Sequence, residues 1–492
     1  MHVLFVSPEV WPLSRVGGLA EVSHDLPLAL AARGHTVDVV TPKCRLTPEQ
    51  EDRLKRLDLT LEVPVSWRRH HAEVFTLESG PGVTVYLISH EHLFDREGLY
   101  GNAYGDYEDN AERFIFFSRA AVELCLGLNK PVDMIHVNDW TTGLIPLYHK
   151  AQYHDHPLLA GAGSLITVHN MGSQGIFWHY DMPLTGLGWE YFTPESIEFY
   201  GKINFLKAGL VFADMISTVS PTYAKEIQTP EMGHGLEGVL SARKECLEAV
   251  INGVDYQTWD PQNDPYIAAA YSSQDLAPKA LCQAQLREAF GLPPASGRPL
   301  VGFLGRLVDR RGMDLVAPAL EDILELGLDM VIMGFGDDHY HAFLQELHRR
   351  RSDRLGLSIG YEMDLAHQLM AGCDMLLMPS RYEPCGLHQL QALRYGTLPV
   401  VRATGGLDDT VSDHTPASPG VGFKFSAYET PAMLAALARA LETHGRPEEW
   451  RGAMRRAMAL DFSWAKAAAA YENIYRQAIA RGQEQRRLRP CP

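Results

Sequence analysis

The densest run of chemically useful side chains is Ser380-Arg381-Tyr382-Glu383-Pro384-Cys385-Gly386-Leu387-His388. The Glu383 carboxylate can accept hydrogen bonds from neutral hydroxyls. Pro384 is preorganised for a first helical turn, so the spacing predicts a helix from Pro384 through Leu387, Leu390 and Leu393 to Gly396. The amides of Cys385, Gly386 and Leu387 would then be free to hold a phosphate. A carboxylate beside such a helix start suits a sugar joined to a phosphate, whereas a simple helix cap is the plainer use of Glu383. Arg306 and Arg311 share one loop. Two guanidiniums there can neutralise a departing diphosphate as a glycosidic bond breaks. Gly17-Gly18 marks either a tight turn or a backbone that must approach a ligand closely. Asp139 and His169 each close an apolar run. They are candidates for one crevice, the alternative being ordinary loop hydrogen bonding.

Apolar periodicity supplies the frame for these residues. Residues 2–7 read as a strand, Leu19, Val22, Leu26 and Leu30 as one face of a helix ending near Gly34, and 36–41 as the next strand. Further strands are expected at 83–88, 132–140, 165–170, 214–219 and 249–251, with a helix over 111–126. The segment 51–81 reads as mixed and polar, with Arg68-Arg69-His70-His71 a solvated edge or loop. Proline-rich stretches at 261–265 and 293–299 precede a second strand–helix series that opens at 300–304 and includes a strand at 375–378. The expected fold is α/β, two doubly wound Rossmann-like domains meeting near Asn252 to Asp255. Terminal helices are expected at 432–441 and 464–481, with Arg486 to Arg489 a solvated tail.

Composition narrows the function. The 492 residues carry 44 Lys and Arg against 61 Asp and Glu, a formal charge of −17. No basic excess exists to neutralise a nucleic-acid backbone. The seven cysteines are scattered without a CxxC pair, which indicates neither a zinc ribbon nor a disulfide framework. The start of the chain lacks a signal-peptide pattern and no apolar run reaches the length of a membrane span, so a cytoplasmic protein is expected. The pairs His90/His92, His154/His156 and His339/His341 lack partners at ligand spacing, so no metal is expected.

The motifs together resemble a known family. Ser14-Arg15-Val16-Gly17-Gly18-Leu19-Ala20-Glu21-Val22 resembles the KxGGL signature of bacterial and plant glycogen and starch synthases. His136-Val137-Asn138-Asp139-Trp140, Thr167-Val168-His169-Asn170, Leu206-Lys207-Ala208-Gly209, Asn252-Gly253-Val254-Asp255 and Arg402-Ala403-Thr404-Gly405-Gly406-Leu407 are similar to that family too, in order along almost the whole chain. The resemblance implies the GT-B fold: two Rossmann-like domains, 1–252 and 253–462, facing across a deep cleft, with 463–492 a terminal helix returning to the first plus a tail. It also implies transfer of glucose from ADP-glucose to the nonreducing end of an α-1,4-glucan such as glycogen, with retention and without cofactor or metal.

Position by position, the resemblance implies that Glu383 grips the glucose, supported by Cys385 and Gly386. Arg306 and Arg311 would bind the diphosphate with Gly17, Gly18 and the turn at Leu387 and His388. His169 would contact the sugar, Asn252 its 6-hydroxyl, Asp139 the acceptor and Tyr361 the adenine. Arg15 and Glu21 would hold the nucleotide side. The family's lysines stand here as Arg15 and Arg311, and its common aspartate as Glu21. All three changes fall on the nucleotide side, so UDP-glucose or another nucleotide sugar stays open as donor. A glucan-binding scaffold that has lost catalysis is the other alternative.

Overall fold

The structure, a computed structural model, describes residues 1–102, 104–294 and 297–488. Ala295 and Ser296 of the expected proline-rich stretch and Arg489 of the expected tail lie outside them. The chain divides into two compact units, Met1–Gly253 with Trp464–Pro492, and Val254–Ser463.

In the first unit, β1 (His2–Val6) is buried along all but its first residue, as a strand covered on both faces must be. Helix α1 (Leu19–Ala31) buries Leu19, Val22, Leu26 and Leu30 on one face and leads to β2 (Thr36–Pro42), parallel to β1. Residues 51–81 depart from expectation. They form a long antiparallel hairpin, β3 (Lys55–Val65) and β4 (Arg68–Gly80), whose second strand pairs with β5 (Val83–Ser89). The period of two is present in the sequence, in the alternation Leu57-Asp58-Leu59-Thr60-Leu61-Glu62-Val63-Pro64-Val65, behind a polar overall composition. Leu61, Val63, Val65, Ala72 and Val74 point inward while the alternate positions are mostly polar. After α2 (Asn110–Leu128) come β6 (Met134–Asn138), α3 (Leu144–Gln152) and β7 (Gly163–Val168). A small antiparallel sheet follows from β8 (Ile176–Trp178), β9 (Glu198–Phe199) and β10 (Lys202–Asn204), in the order β8-β10-β9. Then come α4 (Phe205–Phe212), β11 (Met215–Thr218) and β12 (Leu247–Ala249). The main sheet has the order β12-β11-β7-β6-β1-β2-β5-β4-β3.

The second unit repeats the plan. Strand β13 (Leu300–Leu304), α5 (Met313–Glu325), β14 (Asp329–Gly334), β15 (Leu355–Ile359) and β16 (Met375–Met378) lead to α6 (His388–Arg394). Strand β17 (Leu398–Arg402), α7 (Gly405–Thr410) and β18 (Phe423–Phe425) complete an all-parallel sheet of order β15-β14-β13-β16-β17-β18.

The last helix, α8 (Trp464–Leu488), belongs to the first unit. Its Ala467, Ala468, Tyr471, Ile474, Tyr475 and Ala478 share a core with Val3, Phe5, Met134, Leu165 and Met215. It runs past the expected end at Arg481, and Arg486 donates to the Ala162 carbonyl at 2.9 Å. Residues 486–488 are therefore helical rather than a solvated tail. In each sheet the strand order reverses at one strand, β1 in the first and β13 in the second. Doubly wound sheets bind ligands beyond the carboxyl ends of the strands at such a point.

Candidate active site

Each unit places a group of the expected residues at its own switch point. In the first unit, β1 runs out into Ser7-Pro8-Glu9. Glu9 is buried, and its Oε2 accepts from the backbone N–H groups of Val16 and Gly17 at 2.6 and 2.8 Å. Its Oε1 accepts from the Tyr100 hydroxyl at 2.9 Å. Two backbone amides on one carboxylate fix the glycine loop in place, and Gly18 then caps α1. Sequence reasoning missed both Glu9 and Tyr100, because neither sits in a recognisable spacing. Arg15 and Glu21 pair with each other at 2.8 Å, with the Arg15 guanidinium 5.4 Å from the Trp11 ring centre. Burial raises the Glu21 carboxyl above its ordinary value, against the pull of Arg15.

Strands β6 and β7 deliver the next residues to the same end of the sheet. Asp139 Oδ1 accepts from the backbone N–H of His169 at 2.7 Å and of Asn170 at 3.4 Å. Asp139 and His169 are thus joined by a direct hydrogen bond, of the loop type that was the alternative to a shared crevice. Asp139 itself holds φ at 54°, an uncommon conformation for a residue with a side chain. Burial pushes its carboxyl up to about 7, and the nearby charge of Glu9 acts in the same direction. Burial also pushes His169 down to about 3, so its ring is neutral. The His169 Nε2 lies 3.0 Å from Asn138 Oδ1, an acceptor, which places the ring proton on Nε2. Asn138 in turn donates to the Val6 carbonyl at 3.0 Å, tying His169 to β1. Asn252 follows β12 at the far edge of the sheet; it is buried and its Oδ1 has no hydrogen-bond partner.

In the second unit the helix after β16 begins at His388, four residues later than the Pro384 start expected. The reason lies in α7. Gly406 donates its N–H to the carbonyls of Glu383 and Pro384, each at 3.1 Å. A Cβ added to Gly406 would sit 2.5 Å from the Cα and carbonyl carbon of Cys385. This backbone contact lies against the loop ahead of the helix, and Gly386 turns the chain there at φ +75°. The amides of Cys385, Gly386 and Leu387 therefore belong to a loop ahead of the helix. The Gln389 side chain secures that loop by donating to the Cys385 and Gly386 carbonyls.

Glu383 is buried and forms an ion pair with Arg311, and the Ser380 hydroxyl donates to its Oε2 at 3.3 Å. Arg311 Nε is buried without a partner. Burial, followed by the charges of Arg310 and Arg306, lowers the Arg311 guanidinium to about 10, which leaves it cationic at neutral pH. Arg306 is exposed beside it. His388 Nδ1 meets the Leu304 carbonyl at 3.1 Å, joining the helix start to the end of β13. The structure so brings together Arg306, Arg311, Glu383, Cys385, Gly386, Leu387 and His388. Tyr361 stands apart, half-buried after the edge strand β15.

These two groups of residues can be set beside known proteins. Residues 2–242 match the family described as starch synthase catalytic domain, and residues 284–457 match glycosyl transferases group 1. Glycogen synthase of Anaeromyxobacter sp. (strain Fw109-5) is 46% identical over 482 residues, 98% of this chain and 100% of that protein. The chain belongs to the glycogen and starch synthase family. Glycogen synthase of Moorella thermoacetica is 41% identical over 97% of each chain. The solved catalytic domain of starch synthase IV from Arabidopsis thaliana, bound to ADP and acarbose, superposes with a TM-score of 0.89 at 32% identity, covering 97% of this chain and 99% of that one. As a glycogen and starch synthase family member the protein is a glycosyltransferase with the GT-B fold. Among the described residues no group of three or more His, Cys, Asp or Glu is placed to hold a metal ion, and no helix is long and apolar enough to cross a membrane.

Proposed function

We propose that the protein transfers glucose from ADP-glucose to the nonreducing end of an α-1,4-glucan, with retention at the anomeric carbon. The observation that carries this reading is the buried Glu383–Arg311 pair, in which a guanidinium keeps Nε unsatisfied beside the exposed Arg306. A buried donor without an acceptor is costly, and a phosphate oxygen is the acceptor that fits it. Arg306 and Arg311 take the diphosphate, while the loop amides at 385–387 face the same charge. Glu383 accepts from hydroxyls of the glucose, and the open Oδ1 of Asn252 accepts from its 6-hydroxyl. Tyr361 supports the adenine, and Arg15, Glu21, Gly17 and Gly18 shape the nucleotide side. The ADP that accompanies the starch synthase IV structure supports the adenine nucleotide.

In the reaction, the bond from the anomeric carbon to the β-phosphate oxygen breaks and its electron pair leaves with ADP. The acceptor 4-hydroxyl bonds to the same face of that carbon, and its proton passes to the departing phosphate. Arginines near the leaving oxygens stabilise the charge that develops there. Asp139 and the neutral His169 position acceptor and sugar, so no further side-chain base is needed.

The test is glucose incorporation into glycogen by the purified protein with ADP-glucose and UDP-glucose in parallel, followed by the same assay on Glu383→Ala. The expected result is preference for ADP-glucose and a loss of at least about 100-fold in turnover for the variant. Preference for UDP-glucose would overturn the donor assignment, and near-wild-type turnover by Glu383→Ala would overturn the site.

A further inference from the structure

An aromatic surface on the first unit has no part in the chemistry above. In β8 the strand alternation sends Phe177 inward, its ring 5.7 Å from Trp140 and 4.8 Å from Phe205. Ile176 and Trp178 face outward. Antiparallel pairing sets Lys202 opposite Trp178 and Phe199 opposite Lys202, so these side chains share the outer face. Tyr180 continues it, with its ring centre 6.0 Å from that of Trp178 and the planes only 34° apart. Trp178 is 65% exposed, Tyr180 70% and Tyr200 82%. One exposed ring is ordinary, but a contiguous set marks a contact surface.

The turn between β9 and β10 adds a second observation. Its two central residues, Tyr200 and Gly201, hold φ at 50° and 76°. Tight hairpins ask for positive φ at both positions and meet the demand with Asn, Asp or Gly. A bulky ring there is an outlier. The Tyr200 ring meets Phe199 edge-on at 4.7 Å and its edge passes near Gly235, yet the residue stays largely exposed, so internal packing offsets little of the strain. Strain kept with little packing return points to function. The sheet that carries the rings is firmly held. The buried Lys207 donates to the carbonyls of Pro194 and Glu198 at 2.6 and 2.5 Å, and Glu198 accepts from the Gly201 N–H at 2.6 Å.

We propose that Trp178, Tyr180 and Tyr200 form a platform that binds α-glucan chains through the apolar faces of their sugar rings. This rests on the glucan acceptor proposed above. Rings that stand proud of the surface suit a neutral chain with flat C–H faces, which keeps its hydroxyls in water. Inward-facing Phe177 packs on Trp140, the neighbour of Asp139, so the platform is anchored to the element that carries the acceptor side. A polymer held there stays at high local concentration between transfers.

The experiment compares wild type, Trp178→Ala/Tyr180→Ala and Trp67→Ala in native gels containing glycogen, without donor, and in transfer assays with maltotriose as acceptor. Trp67 is 83% exposed on the β3–β4 turn and serves as a control. The double variant should lose retardation by glycogen at least about tenfold, while keeping maltotriose transfer, and Trp67→Ala should match wild type. Unchanged retardation of the double variant would overturn the platform. Parallel loss of retardation and maltotriose transfer would overturn it too, by assigning the rings to the reacting site. If no variant transfers glucose from either donor but retardation still depends on the rings, the platform stands and the transferase reading fails.

Discussion

Gly406→Ala tests whether Glu383 is positioned by a backbone contact from α7. A Cβ at 406 would lie 2.0 Å from the Cys385 carbonyl oxygen and 2.5 Å from its Cα and carbonyl carbon, and ordinary contact begins at 3.4 Å, so one of the two backbones must move by about 1.4 Å. The loop has little slack, since Gly406 also donates to the carbonyls of Glu383 and Pro384. Overpacking of this kind costs about 1–3 kcal/mol of stability. The larger effect falls on activity, because a misplacement near 1 Å costs about 100-fold in rate. Initial rates with ADP-glucose and glycogen should fall by about that factor, while circular dichroism and a modestly lowered Tm report a folded protein. Gly238→Ala is the matched control. It lies in the helix Glu237–Ala242 where an added Cβ meets nothing within 4 Å, and it should keep full activity and gain up to about 1 kcal/mol. A Gly406→Ala enzyme working within about threefold of wild type, a barrier change under about 1 kcal/mol, would refute the reasoning.

Other expectations follow from the same geometry. Arg311→Met leaves the buried Glu383 carboxylate unpaired and should cost about 3–5 kcal/mol by denaturant unfolding. Arg311→Lys restores the charge and the family's own residue, so activity should stay within about tenfold of wild type, and equal losses in both variants would refute the ion-pair argument. Glu9→Gln should raise the KM for ADP-glucose and lower stability by about 1–3 kcal/mol, because an amide cannot accept from Val16, Gly17 and Tyr100 together; an unchanged KM would count against it. The Asp139 carboxyl stands at about 7 in the folded protein and in the ordinary carboxylate range when unfolded, so the unfolded chain gives up its proton first. Wild-type stability should therefore fall relative to Asp139→Asn as pH rises from about 4 to about 7, then level off. Parallel Tm curves across that window would overturn the burial of this group.

Local pattern carried much of this fold. Strands β13 and β16 lie where continuous apolar runs placed them, and Asp139 and His169 were paired from nothing more than polar residues closing two such runs. The hairpin of β3 and β4 was legible as well, since apolar residues alternate with polar ones from Leu57 to Val65; only the polar composition of the segment suggested a loop. The start of α6 was misplaced for a different reason. Pro384 and the leucine spacing argue for a helix, but the backbone of Gly405 and Gly406, some twenty residues on, occupies the space that helix would need. Glu9 was invisible because its role is to receive amides from a loop it does not resemble in sequence. Residues whose work is to hold other residues leave their signal in the contact, not in the string.

The placement of α8 has a consequence for how the protein is made. Chains fold as they emerge, generally from the N-terminal end. The core around Val3, Phe5, Met134 and Leu165 lacks Tyr471, Ile474 and Tyr475 until after residues 254–463 have been synthesised. His136 likewise waits for the Tyr475 hydroxyl, which it meets at 2.8 Å. The second unit is contiguous in the chain, so it can close while the first is still open. The unit whose translation starts first is finished last, and a ribosome that stalls before Trp464 releases a folded second unit tethered to a first with a bare apolar face.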